Sequence, residues 1–224
     1  MSQINIVTFD AAGTLLQPWP SVGAVYGKTA RNMGINVDDY DIEIRFRNAF
    51  ATAESSNKIK YGNEKSFWKN IVEITFQPFA NKENIEPLFE SLWEAFATGK
   101  TWKLADHAIE TISALQKKGI QAAILSNNDS RLRLVLQDLK IEDYFEHIFI
   151  SSELGFEKPD IEIFRNVETT FALPSSSFLH LGDSFNRDYL GATNAGWHAV
   201  LYGNENEHAR SIQTFPQLLE IRQW

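Results

Sequence analysis

The sequence contains no cysteine among its 224 residues. Disulfide bonds, cysteine-ligated zinc and thiol catalysis are therefore excluded. No apolar run approaches the ~18 residues that a membrane span needs, and the first residues lack a basic segment leading into an apolar one. We therefore expect a cytoplasmic protein with no membrane partner.

Basic residues are scarce relative to acidic ones: 21 Lys and Arg stand against 29 Asp and Glu, a formal net charge of −8. Because nucleic-acid phosphates bind clustered Lys and Arg, this balance predicts no nucleic-acid partner. A small anionic substrate would depend on local positive groups instead, such as a metal ion, a lysine or backbone N–H groups.

Hydrophobic residues make up 43% of the sequence and charged residues 22%, as in globular domains. Beyond residue 98, short apolar runs alternate with amphipathic segments, which predicts a doubly wound parallel α/β sheet. Residues 17–97 show helical patterns and no convincing strand. We predict an α/β core formed by residues 1–16 and 98–224, with residues 17–97 inserted as a helical cap domain.

The first apolar run, residues 4–9, ends at Asp10, and Gly13 then allows the backbone to turn sharply. In an open α/β sheet, the carboxyl ends of the strands line the crevice where ligands bind. Asp10 is therefore a candidate nucleophile at a strand end. The alternative interpretation is a buried strand followed by an ordinary turn.

Polar groups also follow later predicted strands, and parallel strands end at one edge of a sheet. These further candidates are Thr14, Ser126, Asn127, Lys158, Asp183 and Asp188. Asp10 and Asp183 would repel each other at close range unless a cation lay beside them, and Mg2+ is a hard cation that prefers oxygen ligands. Lys158 supplies a second positive charge, and Ser126 can donate to a phosphate oxygen. Such a site suits attack by Asp10 on phosphorus, giving a covalent aspartyl intermediate.

Several of these residues also have a structural interpretation. Ser126 could be only a helix N-cap, and Asn127 could either contact phosphate or shape its turn. Asp188 could bind metal through water or cap the next helix. Thr14 is expected to brace the nucleophile loop, and His180 is interpreted as a satisfied core residue.

These stretches, in this order and with helices inserted after the first, resemble the haloacid dehalogenase (HAD) superfamily, in its phosphatase-type subfamily with a helical cap. Residues 13–16 and 21–26 are similar to the branch of haloacid dehalogenase-like hydrolase domain-containing proteins. The resemblance covers the whole chain. It implies a Rossmann-like core, a Mg2+ cofactor and a small phosphorylated metabolite as substrate. It also implies catalytic roles for Asp10, Thr14, Ser126, Asn127 and Lys158, and metal ligation by Asp10, the backbone carbonyl of Ala12, Asp183 and Asp188.

The sequence departs from the family pattern at Ala12, where family phosphatases carry a second Asp that acts as general acid and base. Without it, hydrolysis of alkyl phosphates is expected to be feeble, because such help is typically worth ~10²–10⁴-fold. Two alternatives follow. One is a non-catalytic or very slow phosphate-binding homologue, and the other is a 2-haloacid dehalogenase, whose loop resembles residues 10–14. Asp183 argues against the dehalogenase, because a metal-free site has no use for that charge.

Overall fold

The computed structural model describes residues 4–56 and 63–221. These residues form two compact units. The core unit contains residues 4–17, 104–130 and 140–221, and the helical unit contains residues 18–56, 63–103 and 131–139. The predicted boundaries assigned residues 98–103 and 131–139 to the core. They group instead with the helices, and one contact between these two segments is the backbone N–H of Gly99, which donates to Asp138 Oδ2 over 3.0 Å.

Eight strands are present in the described residues. In chain order they are β1 (Ile6–Phe9), β2 (Leu16–Pro18), β3 (Trp102–Leu104), β4 (Gln121–Ser126), β5 (His147–Ile150), β6 (Phe178–Gly182), β7 (His198–Tyr202) and β8 (Ser211–Ile212). Six of them form one sheet in the order β5-β4-β1-β6-β7-β8. Every adjacent pair in this sheet is parallel. The predicted parallel α/β fold is confirmed.

The central strand β1 is buried along its whole length, which explains its nearly unbroken apolar sequence. Side chains alternate between the two faces of the sheet. On one face, Phe9 stacks on Phe215 with ring centroids 6.0 Å apart. On the other face, Ile6 belongs to a cluster that includes Phe164 of a packed helix. The sheet is therefore covered on both sides, and only its strand ends are left for a site.

The helices, in chain order, are α1 (Val22–Asn32), α2 (Asp39–Ser56), α3 (Glu64–Phe76), α4 (Lys82–Ala95), α5 (Ala108–Lys117), α6 (Arg131–Asp138), α7 (Ser151–Leu154), α8 (Ile161–Phe171) and α9 (Gly191–Asn194). A π-helical turn, Phe185–Leu190, precedes α9. Within the described ranges, the insertion between β2 and β3 contains helices joined by short loops and no strand. None of the helices in those ranges is both long and apolar enough to cross a membrane.

The helical unit has its own hydrophobic core. Tyr26 of α1 lies at its centre, with its ring stacked on Phe76 and edge-on to Phe96. The apolar periodicity predicts a helix over residues 26–33, but α1 begins at Val22 because the Ser21 side chain accepts the backbone N–H of Ala24. The unit therefore does not depend on the sheet for an apolar interior.

Candidate active site

Asp10 follows β1 directly and is 7% exposed. Its backbone N–H donates to the carbonyl of Leu181 over 2.8 Å, which continues the sheet past the end of the strand. Its Oδ1 accepts the hydroxyl of Ser126 at 3.1 Å and the Nζ of Lys158 at 2.8 Å. The structure thus places three of the predicted catalytic residues together, and a carboxylate held in this way has a fixed orientation.

Lys158 is 2% exposed and lies at the centre of the site. Besides Asp10, its Nζ donates to the Leu125 carbonyl at 2.8 Å and to Asp188 Oδ1 at 2.6 Å. Burial by itself disfavours the ammonium, but the charges of Asp10 and Asp188 outweigh it and raise the pKa of Lys158. The site therefore contains a permanent, buried positive charge beside the candidate nucleophile.

The side chain of Asn127 supports the peptide of Lys158. Its Nδ2 donates to the Lys158 carbonyl at 2.9 Å, and its Oδ1 accepts the Lys158 N–H at 2.8 Å. This two-point contact links the loop after β4 to the loop that carries the lysine. The sequence left open whether this amide contacts phosphate or shapes a turn, and the geometry assigns the side chain to the lysine loop.

Three carboxylates meet at the same edge of the sheet. One oxygen from each of Asp10, Asp183 and Asp188 lies within 4.8 Å of the others. Burial and the nearby charges of Asp10 and Asp188 raise the pKa of Asp183 to about 7. A divalent cation would relieve this repulsion, and an all-oxygen ligand set suits a hard metal ion. The donor set therefore fits a hard divalent cation.

The loop after Asp10 approaches the acidic cluster closely. Gly13 has φ +102°, and a Cβ on it would lie 2.8 Å from Asp183 Oδ2, so only glycine fits there. Thr14 donates its hydroxyl to Asp183 Oδ1 over 3.3 Å, which ties the nucleophile loop to the acidic cluster. Ala12 lies exposed in this loop and brings no acid side chain.

Asp188 is the deepest of the three carboxylates. Its Oδ1 accepts a hydrogen bond from Lys158 Nζ, and its Oδ2 accepts one from the backbone N–H of Ser184 at 2.8 Å. Although burial acts in the opposite direction, Lys158 and His180 hold the pKa of Asp188 well below its usual range. The N-cap of the following helical turn is Ser184, whose hydroxyl accepts the Arg187 N–H, so the capping role considered for Asp188 belongs to Ser184.

Sequence reasoning assigned no role at the site to His180 or Thr8. His180 is fully buried as predicted, but its Nε2 lies 3.1 Å from Asp188 Oδ1. Its Nδ1 lies 2.8 Å from the hydroxyl of Thr8, its partner in the β1–β6 register. The sequence did contain a signal for Thr8. It lies two residues before Asp10, and residues two apart in a strand lie on the same face of the sheet.

Asp10 and Asp183 directly follow central parallel strands, where open α/β sheets bind ligands, and Lys158 and Asp188 converge on them from neighbouring segments. The chain belongs to the haloacid dehalogenase-like hydrolases: the family model described as "Hydrolase: haloacid dehalogenase-like hydrolase" matches residues 4–196. It is 31% identical over 206 residues to haloacid dehalogenase-like hydrolase domain-containing protein 3 of Mus musculus, covering 89% of this chain and 82% of that protein.

Solved structures share the fold at low sequence identity. HAD-hydrolase YfnB from Bacillus subtilis, bound to magnesium, has a TM-score of 0.78 at 19% identity and covers 98% of both chains. A 2-haloacid dehalogenase from Pseudomonas syringae pv. Tomato DC3000 has a TM-score of 0.67 at 19% identity and covers 97% of both chains. At these sequence identities, the similarities show a shared fold.

Proposed function

We propose that the chain is a magnesium-dependent phosphatase that acts on a small phosphorylated metabolite through an aspartyl-phosphate on Asp10. The observation that carries the proposal is the buried ammonium of Lys158 between Asp10 and Asp188, with a third carboxylate beside them. A dehalogenase needs no metal, so the crowding of Asp183 against two other carboxylates favours phosphoryl transfer.

The hydrogen bonds suggest which oxygen attacks. Both donors to Asp10, from Ser126 and Lys158, go to Oδ1. This arrangement orients the carboxylate and leaves Oδ2 to form the bond to phosphorus. As that bond forms, the bond from phosphorus to the leaving oxygen breaks, and water later hydrolyses the acyl phosphate and restores the carboxylate.

Asp10, Asp183 and Asp188 would hold the magnesium ion, together with the backbone carbonyl at Ala12. When bound, the ion would neutralise negative charge on the phosphoryl oxygens and on the carboxylates. The lysine ammonium contributes a fixed positive charge in the same site, where exclusion of water makes it more effective.

The leaving oxygen has no side-chain acid at position 12. General acid and base help is worth ~10²–10⁴-fold, or about 3–5.5 kcal/mol of barrier. Leaving groups of low pKa need no such proton. We therefore expect aryl and acyl phosphates to be hydrolysed much faster than alkyl phosphates.

The decisive experiment adds the acid back. Turnover of p-nitrophenyl phosphate, acetyl phosphate and glycerol phosphate is measured with Mg2+ and with EDTA, for the native protein and for Ala12→Asp. Ala12→Asn serves as the matched control, since asparagine has the shape of aspartate but no acidic group. We expect Ala12→Asp to raise glycerol phosphate turnover at least ~10-fold and Ala12→Asn to leave it unchanged.

Other outcomes would overturn the proposal. Chloride release from 2-chloropropionate in EDTA, abolished in Asp10→Asn, would establish a dehalogenase. Absence of turnover on every phosphate, together with failure to trap beryllium fluoride on Asp10, would establish a non-catalytic homologue.

A further inference from the structure

A buried imidazole lies beside the proposed machinery but takes no part in the reaction as described. His180 is 0% exposed and packs edge-on against the ring of Phe164, 6.2 Å away. Its two ring nitrogens lie within hydrogen-bonding distance of Thr8 and Asp188, at 2.8 and 3.1 Å. Because buried polar groups are hydrogen-bonded, the position of the ring proton must match both neighbours.

The neighbours determine that position. Asp188 Oδ1 receives the ammonium of Lys158, and an ionised carboxylate oxygen can only accept. Nε2 must therefore carry the ring proton, and Nδ1 of the neutral ring must accept. The Thr8 hydroxyl consequently donates to Nδ1 and not to the Leu179 carbonyl, which is farther away at 3.4 Å. The opposite tautomer would bring two lone pairs together at 3.1 Å in a buried site.

This tautomer also settles how Lys158 uses its three N–H groups. His180 Nε2 lies only 3.4 Å from Nζ and would be a fourth acceptor if it had no proton. With Nε2 protonated, the three donors match three acceptors: Asp10 Oδ1, Asp188 Oδ1 and the Leu125 carbonyl. The imidazole therefore both holds Asp188 and leaves the ammonium directed at Asp10.

We infer that His180 is a positioning residue: Asp188 fixes it as the Nε2–H tautomer, Thr8 donates to its Nδ1, and the ring in turn holds Asp188 so that Lys158 stays on the nucleophile. The hydrogen bonds form a linear network in the order Thr8, His180, Asp188, Lys158 and Asp10. Its effect on turnover rests on the proposed phosphatase function, whereas the position of the proton is a property of the folded protein and is tested separately.

Turnover is tested with a matched pair of variants. Gln and Met have side chains of equal length, but only Gln offers a donor near the position of Nε2. Loss of outer-shell partners typically costs 10–100-fold in activity. For p-nitrophenyl phosphate with Mg2+, we expect His180→Met to lower kcat roughly 10–100-fold with KM within about threefold, and His180→Gln to recover kcat to within about fivefold. Equal losses in both variants, or no loss in either, would overturn the positioning role.

The proton is tested by nitrogen–proton NMR of the imidazole at neutral pH, with the His180 signals assigned by their absence in His180→Gln. We expect a pyrrole-type Nε2 and a pyridine-type Nδ1 in the native protein. In Thr8→Val, which removes the donor to Nδ1, Asp188 should keep the proton on Nε2, so the Nδ1 signal should move while Nε2 stays pyrrole-type. Thr111→Val, at another buried threonine of the core unit, should leave both signals in place. A native ring protonated at Nδ1, or an Nδ1 signal unchanged in Thr8→Val, would overturn the inference even if turnover behaved as expected.

Discussion

At the scale of single residues, the buried ammonium of Lys158 compensates two buried carboxylates, those of Asp10 and Asp188. Removing one partner of a buried ion pair typically costs 3–5 kcal/mol, since the other partner is left without compensation. We expect Lys158→Met to lower the free energy of unfolding by about 3–5 kcal/mol and to abolish turnover. Urea denaturation in EDTA measures the first effect.

Two controls make that measurement specific. Lys117→Met, at an exposed position at the end of α5, should change stability by less than about 0.5 kcal/mol. In the double variant Lys158→Met with Asp188→Asn, one of the uncompensated carboxylates is gone, so the loss should be smaller than the sum of the two single losses. Additive losses would mean that the ammonium and Asp188 do not interact as the 2.6 Å contact indicates.

Gly13 gives a second prediction for a single residue. A side chain at this position would be strained by the left-handed backbone conformation. Its Cβ would also lie only 2.8 Å from the carboxylate of Asp183. Gly155 has φ +78° and no atom within 4 Å of the position that a Cβ would take, so Gly155→Ala isolates the backbone contribution, about 1–2 kcal/mol. We expect Gly13→Ala to lose more stability than Gly155→Ala and also to lose Mg2+ binding, measured by calorimetry. Full Mg2+ affinity in Gly13→Ala would contradict the described approach of this loop to Asp183.

Some site residues could be predicted from the sequence, whereas the hydrogen-bond partners of others depend on the three-dimensional structure. Apolar strands followed by carboxylates predicted Asp10 and Asp183 because strand ends in a parallel sheet share an edge. The partner of an amide such as Asn127 was not predictable, because it depends on how two loops meet in space. His180 was interpreted as a satisfied core residue, and its partner could not be identified because Asp188 lies on the next helical turn, beyond the reach of strand periodicity.

At the scale of elements, the strands and helices with strong apolar periodicity were predicted closely. The sequence pattern predicts a helix over residues 161–171 and a strand over residues 198–202. Helix α8 and strand β7 have these bounds, because each is apolar over its full length on the face that packs. The apolar pattern predicts a helix over residues 85–96, but helix α4 starts at Lys82 because the Asn81 side chain accepts the backbone N–H of Asn84. Strand β8 was missed, since two residues carry no periodicity and their pairing depends on β7.

Helix α8 provides a prediction about pH. Burial opposes ionisation of Glu168, but hydrogen bonds from Arg165 and Trp197 outweigh it and lower the pKa of the carboxyl. The Trp197 Nε1 donates to Glu168 over 2.8 Å. A group whose folded-state pKa is lowered contributes stability above its unfolded pKa of about 4.5, and the contribution is lost as the pH falls through the folded value.

Glu168→Gln should therefore reduce the free energy of unfolding by about 0.5–1.5 kcal/mol at pH 7, because the exposed Arg165 is screened and the buried contact to Trp197 dominates. The difference from the native protein should shrink as the pH falls below about 4. Urea titrations at several pH values measure it, with Glu162→Gln on the exposed face of the same helix as the control. A difference that stays constant with pH would show that the carboxylate charge is not involved.

At the scale of the whole molecule, the net charge of −8 and the acidic cluster both attract divalent cations, but with different consequences. Diffuse binding to surface carboxylates is weak and follows ionic strength. Binding at the cluster occurs only in the folded chain and so raises the unfolding temperature. Thermal unfolding can therefore separate the two effects without any assumption about the substrate.

At a free Mg2+ concentration of about 10 times the Kd of the site, binding stabilises the folded chain by about 1.4 kcal/mol. This raises the unfolding temperature by roughly 3–6 °C for a chain of this size. We expect Mg2+ to raise the unfolding temperature of the native protein by this amount relative to KCl of equal ionic strength, and EDTA to remove the rise. Asp183→Asn should lose the shift, because it removes one of the three converging carboxylates. Asp143→Asn, which removes one exposed acid far along the sequence from the cluster, should keep it. An equal shift in both variants would mean that Mg2+ acts through the overall charge of the molecule. The acidic cluster would then not be a specific metal site.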